Sequence, residues 1–206
     1  YMEKKRFVLF GNGQLPVHQN ELSCLKKAKK IICLDGGANK LKLLGYSPDY
    51  ILGDMDSIKS DSNFKNAEKI ILKNQSKTDL EKSLDWCKKN NILKLTLIGC
   101  SGLRDDHNYV SLLLLSKYFL DLEIIIVTNF STVHCVQQKK QFNSLPGQTI
   151  SIIPTIDKIA ITTDGLKYSL NNQTLSNISQ GISNVTLGSK FSIEATKPVW
   201  VIINHP

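Results

Sequence analysis

Six short, almost continuously apolar runs recur through the first 128 residues, at 7–10, 31–34, 50–52, 70–72, 95–98 and 124–127. Each is too short for a helix, and several lack the polar alternation of a half-exposed strand. Strands of that kind are buried on both faces. Helical periodicity fills much of the space between them. Leu22, Leu25 and Ala28 mark one face of a helix over 21–30, and Leu41 and Leu44 mark a second, closed by Gly45 with Pro48 beyond. Thr78 and Glu81 form the T-x-x-E of a capping box before a helix with Leu80, Leu84 and Cys87 on its inner face, and 109–120 reads as a fourth helix. Residues 58–69 read as loop with a short helical turn. Strands alternating with helices imply an α/β fold, a mostly parallel wound sheet with helices on both faces.

Beyond residue 129 the helical period disappears. Strand-like runs at 132–136, 149–153, 158–162, 165–170, 190–195 and 199–203 are separated by turn signals such as Pro146-Gly147, Asp164-Gly165, Asn171-Asn172 and Gly188. The spacing predicts a smaller antiparallel sandwich or barrel, so the domains are expected at 1–130 and 131–206.

The totals exclude several classes. With 206 residues and 41% hydrophobic content the chain can bury a sizeable core. The formal charge is +8, but the basic residues form only short clusters without interleaved aromatics, which argues against a nucleic-acid partner. Five cysteines without C-x-x-C spacing suit a reducing, cytoplasmic setting and argue against a zinc site. No apolar run reaches the length of a membrane span.

Chemistry-bearing residues gather where strands end. Asp35-Gly36-Gly37-Ala38-Asn39 follows the second run; its glycines either turn backbone N–H groups toward an anion or allow close helix packing. Gly53-Asp54-Met55-Asp56-Ser57 follows the third. In extended backbone Asp54 and Asp56 would point the same way, a pair suited to Mg²⁺ and a phosphate-bearing nucleotide, or else an Asx-type turn. Asp79 occupies the first turn of a helix, where the dipole alone favours a carboxylate. After the fifth run, Gly99 to Asn108 contains Arg104, suited to a phosphate, and His107, either a proton carrier or a helix cap. In a wound parallel sheet all these clusters reach one edge, where ligands bind. By contrast Gly11-Asn12-Gly13 is only a G-x-G, a weak dinucleotide signal.

Six motifs in this order resemble the thiamine pyrophosphokinase family. They are Asp35-Gly36-Gly37-Ala38-Asn39, Gly53 to Ser57, Gln75 through Thr78-Asp79, Arg104 through Asp106-His107, Gly165-Leu166-Lys167-Tyr168-x-Leu170 and Ile182-Ser183-Asn184. The resemblance implies an α/β domain for ATP and Mg²⁺ followed by a β-sandwich domain for thiamine, in a homodimer with a shared site. It implies transfer of a pyrophosphoryl group from ATP to the thiamine hydroxyl, releasing AMP. By position, Asp54, Asp56 and Asp79 resemble the Mg²⁺ ligands, with Asp35 close by. Gln75, Arg104 and Asp106 resemble substrate-site residues, with Gly36, Gly37, Asn39 and His107 on the nucleotide side and Tyr168, Ser183 and Asn184 on the thiamine side. Bacterial relatives often carry an acidic residue where this chain has Ser76. Two other readings keep part of the pattern: a nucleotide or thiamine sensor without turnover, and a metal-dependent Asp-x-Asp nucleotide-sugar transferase, which leaves Asp79 and Arg104 unexplained.

Overall fold

In the computed structural model, which describes residues 6–58, 64–175 and 177–206, the chain divides between Asn129 and Phe130 into two compact units. The first carries strands β1 (Phe7–Phe10), β2 (Ile31–Leu34), β3 (Tyr50–Gly53), β4 (Glu68–Ile71), β5 (Lys94–Ile98) and β6 (Glu123–Val127). Helices α1 (Gln19–Lys27), α2 (Gly37–Leu43), α3 (Asp79–Lys89) and α4 (Asp105–Lys117) connect them. All the pairings are parallel, in the order β6-β5-β1-β2-β3-β4. The chain winds outward from β1 to β4 and then returns to the other side of β1. The order therefore reverses between β1 and β5, which opens a crevice at the carboxyl ends of those strands.

Burial on both faces explains the apolar runs of β1, β2, β3 and β5, whereas β4 at the sheet edge leaves Ile71 61% exposed. Val8, Phe10, Ile31, Cys33 and Ile51 pack with Leu25 of α1 and with Ala38 and Leu41 of α2. The intervening Leu9, Ile32 and Leu52 are also fully buried, and α3 lies against β2 and β3. The expected inner face of α3, Leu80, Leu84 and Cys87, is buried. Three boundaries differ from expectation. Helix α1 ends at Lys27, because the Lys29 N–H bonds to the Arg6 carbonyl instead of continuing the helix. Helix α4 begins at Asp105, not Tyr109, since Asp105 and Asp106 fill its first turn, where the dipole favours carboxylates. The loop expected over 58–69 falls partly on 59–63, outside the described residues, and β4 already begins at Glu68.

The second unit is antiparallel and built around one long strand. Its strands are β7 (Ser131–Asn143), β8 (Thr149–Pro154), β9 (Ala160–Asp164), β10 (Gln173–Thr174), β11 (Asn184–Val185) and β12 (Lys190–Asn204). Strand β12 pairs with β7 along its length, while its other edge pairs first with β9 and then with β8. The change of partner coincides with a register shift between Ala195 and Val199. Pro198 lies within that bulge, where a missing N–H does not interrupt a ladder. The two strands expected at 190–195 and 199–203 are thus one strand with a bulge. The strand expected at 165–170 is a folded-back turn, in which Gly165 has φ 75° and the Leu170 and Thr163 backbones bond to each other's residues. Its core comprises residues such as Phe142, Ile150, Ile161, Phe191 and Val201, with Phe142 and Phe191 stacked 5.1 Å apart across β7 and β12.

Candidate active site

Two loops meet at the crevice. The β1 loop hangs on the end of β5 through Gly11 N–H to the Ile98 carbonyl at 2.8 Å, Gly13 N–H to Gly99 at 2.6 Å and Gln14 N–H to Ser101 at 2.7 Å. A Cβ on Gly11 would lie 2.5 Å from the Gly99 carbonyl oxygen, so the close approach requires glycine. These N–H groups are committed to β5 and do not cradle an anion. The Gly-Asn-Gly segment therefore lines the cleft without being a dinucleotide fingerprint.

The cleft itself has a volume of about 370 Å³ and is bounded by the ends of β1, β2, β3 and β5 and the starts of α3 and α4. Asp35, Asp54, Asp56 and Asp79 all face it, as do Gly36, Arg104 and His107. Asp35, Asp54 and Asp56 each present a carboxylate oxygen within 4.8 Å of the others. The clustering arises differently from the strand alternation expected for Asp54 and Asp56. Strand β3 stops at Gly53, Met55 takes a left-handed φ of 71°, and the Asp56 N–H approaches Asp54 Oδ1 at 3.4 Å. The segment is an Asx-like turn that also gathers carboxylates. Gly53 lets Asp35 join them, because a side chain there would place its Cβ 2.7 Å from the Asp35 Cβ.

Electrostatics distinguish the three. Burial pushes the Asp35 carboxyl up to about 6, and the adjacent Asp54 and Asp56 carboxylates add to the shift against an opposing bond from the Ser57 N–H. Asp35 is 6% exposed, and its Oδ1 has no hydrogen-bond partner among the described residues. A buried, unsatisfied carboxylate oxygen is costly by itself and is the expected state of a ligand awaiting a cation. Asp54 is exposed and held below the usual carboxylate range, chiefly by the Asp56 N–H. Asp79 stands apart from this trio: Lys82, itself buried, reaches its Oδ1 at 2.6 Å. Thr78 caps α3 by accepting the Glu81 N–H at 3.2 Å, one half of the expected capping box, while Glu81 pairs with Lys117 at 2.5 Å.

At the rim Arg104 and Asp106 form a two-point pair, Nε to Oδ1 at 3.1 Å and Nη2 to Oδ2 at 2.5 Å. Both side chains are more than half exposed, so the pair orients the guanidinium more than it stabilises the fold. His107 lies inside α4 and does not cap it; residues 107, 108 and 111 turn toward the cleft because the helix starts early. Asn39 donates from Nδ2 to the Ser57 carbonyl at 2.9 Å, tying α2 to the Asp turn. Gln75 is exposed and does not line the cleft. Ser57 and Asn108, which the strand-end clusters include without a role, line it, as does Ser111, which they do not include. Asn108 had a signal in its position after the Arg104 cluster, and its Oδ1 accepts the Gly102 N–H at 2.8 Å.

The thiamine-side residues lie in the second unit. Tyr168 is 61% exposed, and Ser183 is exposed with φ 59°. Asn184 is buried; its Oδ1 accepts from Tyr168 N–H at 3.0 Å and Val185 N–H at 2.8 Å, and its Nδ2 donates to the Tyr168 carbonyl at 2.7 Å.

Comparison with known proteins decides the family. Residues 22–127 match the sequence profile described as thiamin pyrophosphokinase, catalytic domain, and residues 132–200 match that of the thiamin pyrophosphokinase vitamin B1 binding domain. The chain belongs to the thiamin pyrophosphokinase family. A thiamin pyrophosphokinase of Caenorhabditis elegans is 28% identical over 180 residues, covering 80% of this chain and 74% of the relative. One from Arabidopsis thaliana is 30% identical over 177 residues, covering 70% and 66%. Among solved structures, the Candida albicans thiamin pyrophosphokinase superposes with a TM-score of 0.85 at 20% identity over 98% of this chain and 89% of that one. The Bacillus subtilis thiamine pyrophosphokinase gives 0.81 at 24% identity over 97% and 98%. Those two likenesses carry the α/β-plus-β fold, and the profiles carry the family.

Proposed function

We propose that this member of the thiamin pyrophosphokinase family is an ATP:thiamine diphosphotransferase, moving the pyrophosphoryl group of ATP to the thiamine hydroxyl to give thiamine diphosphate and AMP. The observation that carries the assignment of the reacting centre is the trio of carboxylates in the cleft at the switch point of the parallel sheet. An all-oxygen donor set fits Mg²⁺, and the unpartnered Asp35 Oδ1 supplies a buried acceptor for it. Asp54, Asp56 and Asp35 would hold the metal, with Asp79 as a fourth carboxylate across the cleft whose Lys82 partner competes for it. When bound, Mg²⁺ offsets charge on the phosphate oxygens. Arg104, oriented by Asp106, grips the chain of phosphates at the rim, and Gly36, Gly37, Asn39 and His107 form the nucleotide side. The hydroxyl oxygen attacks the β-phosphorus, the bond to the oxygen bridging to the α-phosphate breaks, and AMP leaves with that oxygen. A cleft carboxylate or water takes the hydroxyl proton. Such chemistry depends on positioning and charge more than on a strong nucleophile.

We assign thiamine to the second unit, read as the β-sandwich domain. Exposed Tyr168 and Ser183 are its proposed contacts, with Asn184 holding the Tyr168 turn in shape. Gln75 completes the substrate set from the α3 side. The family resemblance further supports a cytoplasmic homodimer with a site shared between subunits; no described helix is long and apolar enough to cross a membrane. Incubation with ATP, Mg²⁺ and thiamine tests the assignment. AMP and thiamine diphosphate should appear together and only when thiamine is present; ATP or thiamine binding without AMP would sink it. A light-scattering mass near one chain would remove the dimer.

A further inference from the structure

Lys40 is a charged residue that neither the motifs nor the cleft lining singles out. It sits in the last turn of α2, and its ammonium donates to the carbonyl oxygens of Asn12 at 2.7 Å and Gly13 at 2.5 Å. Its side chain is half-buried, and that burial lowers its pKa. The loop it holds is fastened on its other side by the β5-end carbonyls described above. Asn12 and Gly13 both line the cleft, alongside four carboxylates and a single arginine. Lys40 therefore joins the helix that follows Asp35 to the neighbouring loop after β1.

We propose that Lys40 is a positioning residue for nucleotide binding, clamping the Asn12 and Gly13 carbonyls so that the β1 loop presents Asn12 and not bare carbonyl oxygens to the phosphates. The physical reasons are two. A lysine ammonium on two carbonyls makes charge-assisted hydrogen bonds, stronger than neutral ones, and sets its positive charge against the negative ends of two peptide dipoles whose N–H ends Gly99 and Ser101 already hold. Without it, those carbonyl oxygens would lie with no counter-charge beside a cleft already rich in carboxylates, and the negative ends of their peptide dipoles oppose a polyphosphate. The second unit's residues are not involved, so the effect is confined to the nucleotide. The inference rests on the reading that this cleft takes ATP.

Lys40→Met should raise the KM for ATP about 10-fold while changing the KM for thiamine and kcat less than about 2-fold. Lys40→Arg, which keeps charge and donors, should restore the ATP KM to within about 3-fold of the original. An unchanged ATP KM in Lys40→Met would overturn the inference, as would equal rises for both substrates or a loss confined to kcat. A merely structural residue would lower the melting temperature without splitting the two KM values. If Lys40→Met does not fold, Lys40→Gln keeps an amide donor group and no charge; an ATP KM unchanged in that variant overturns the inference equally. Asp54→Asn, assayed in parallel, separates this outcome from failure of the cleft assignment: full turnover in Asp54→Asn removes the cleft as the reacting centre, whatever Lys40 does.

Discussion

The end of β2 and the turn around Asn184 carry similar polar side chains in opposite states. In the cleft, Asp35 is buried with an oxygen that nothing among the described residues satisfies, and two further carboxylates crowd beside it. In the second unit, Asn184 is equally buried, yet its oxygen and its amide nitrogen are both engaged by backbone groups of Tyr168 and Val185. The difference separates chemistry from architecture. A side chain that completes its own hydrogen bonds within the fold holds the fold; one kept incomplete at a measurable energetic cost is available to a ligand.

If that contrast is right, the largest effect belongs to the unsatisfied side. Asp54→Asn should cut thiamine-dependent AMP formation by about 1000-fold or more, with the melting temperature nearly unchanged because Asp54 is exposed. Turnover in the folded variant within a few-fold of the parent would break the comparison. Asn184→Ala should act the other way, lowering unfolding stability by about 2–4 kcal/mol because backbone donors and an acceptor lose a buried partner. Urea midpoints measure it. A loss of thiamine affinity without any loss of stability would show that Asn184 faces the substrate directly.

A pH series sharpens the case for Asp35. Its folded value of about 6 lies above its ordinary 3.8, so between those values the native state keeps a proton that the unfolded chain has released. Stability from this group is therefore intact below 3.8 and declines as pH rises through about 6. In metal-free buffer Asp35→Asn should melt higher than the parent above that window, and the difference should vanish toward pH 3.8. Added Mg²⁺ should raise the parent's melting temperature and not the variant's. A parent that melts higher than Asp35→Asn throughout would show that the carboxylate is not destabilised in the fold.

The smallest effect tests the rule within the cleft. Thr78 lines it, yet its hydroxyl already accepts the Glu81 N–H. Thr78→Ala should cost about 1 kcal/mol of stability, as for a lost N-cap, with kcat changed less than about 3-fold. A large fall in kcat at unchanged stability would mean that satisfaction within the fold does not predict role.

Much of this molecule was legible in one dimension. The continuous apolar runs at 31–34 and 95–98 announced doubly buried strands, and the change of periodicity near residue 129 separated the two kinds of sheet. Local signals failed where long-range pairing governs. Residues 165–170 have strand composition, but Gly165 and the bonds between Thr163 and Leu170 fold them into a turn. Residues 190–195 and 199–203 read as two strands, but pairing with β7 on both sides of a bulge makes them one. Strand composition reports what a segment can do, whereas its neighbours decide what it does.

The sequence by itself determined the inventory at the cleft: Asp35, Asp54, Asp56, Asp79 and Arg104 at the ends of strands or the starts of helices, together with the motif order that carries the family. Only the tertiary structure decided their grouping. Asp35 joins Asp54 and Asp56 because Gly53 leaves room for it and Met55 turns the chain, while Asp79 is held back by Lys82. Lys40 and the Gly-Asn-Gly loop had no visible purpose until β1 and β5 were adjacent. Spacing along the chain fixes which groups arrive at an edge; distances of a few ångströms between them depend on side-chain packing and turn geometry, which no periodicity encodes.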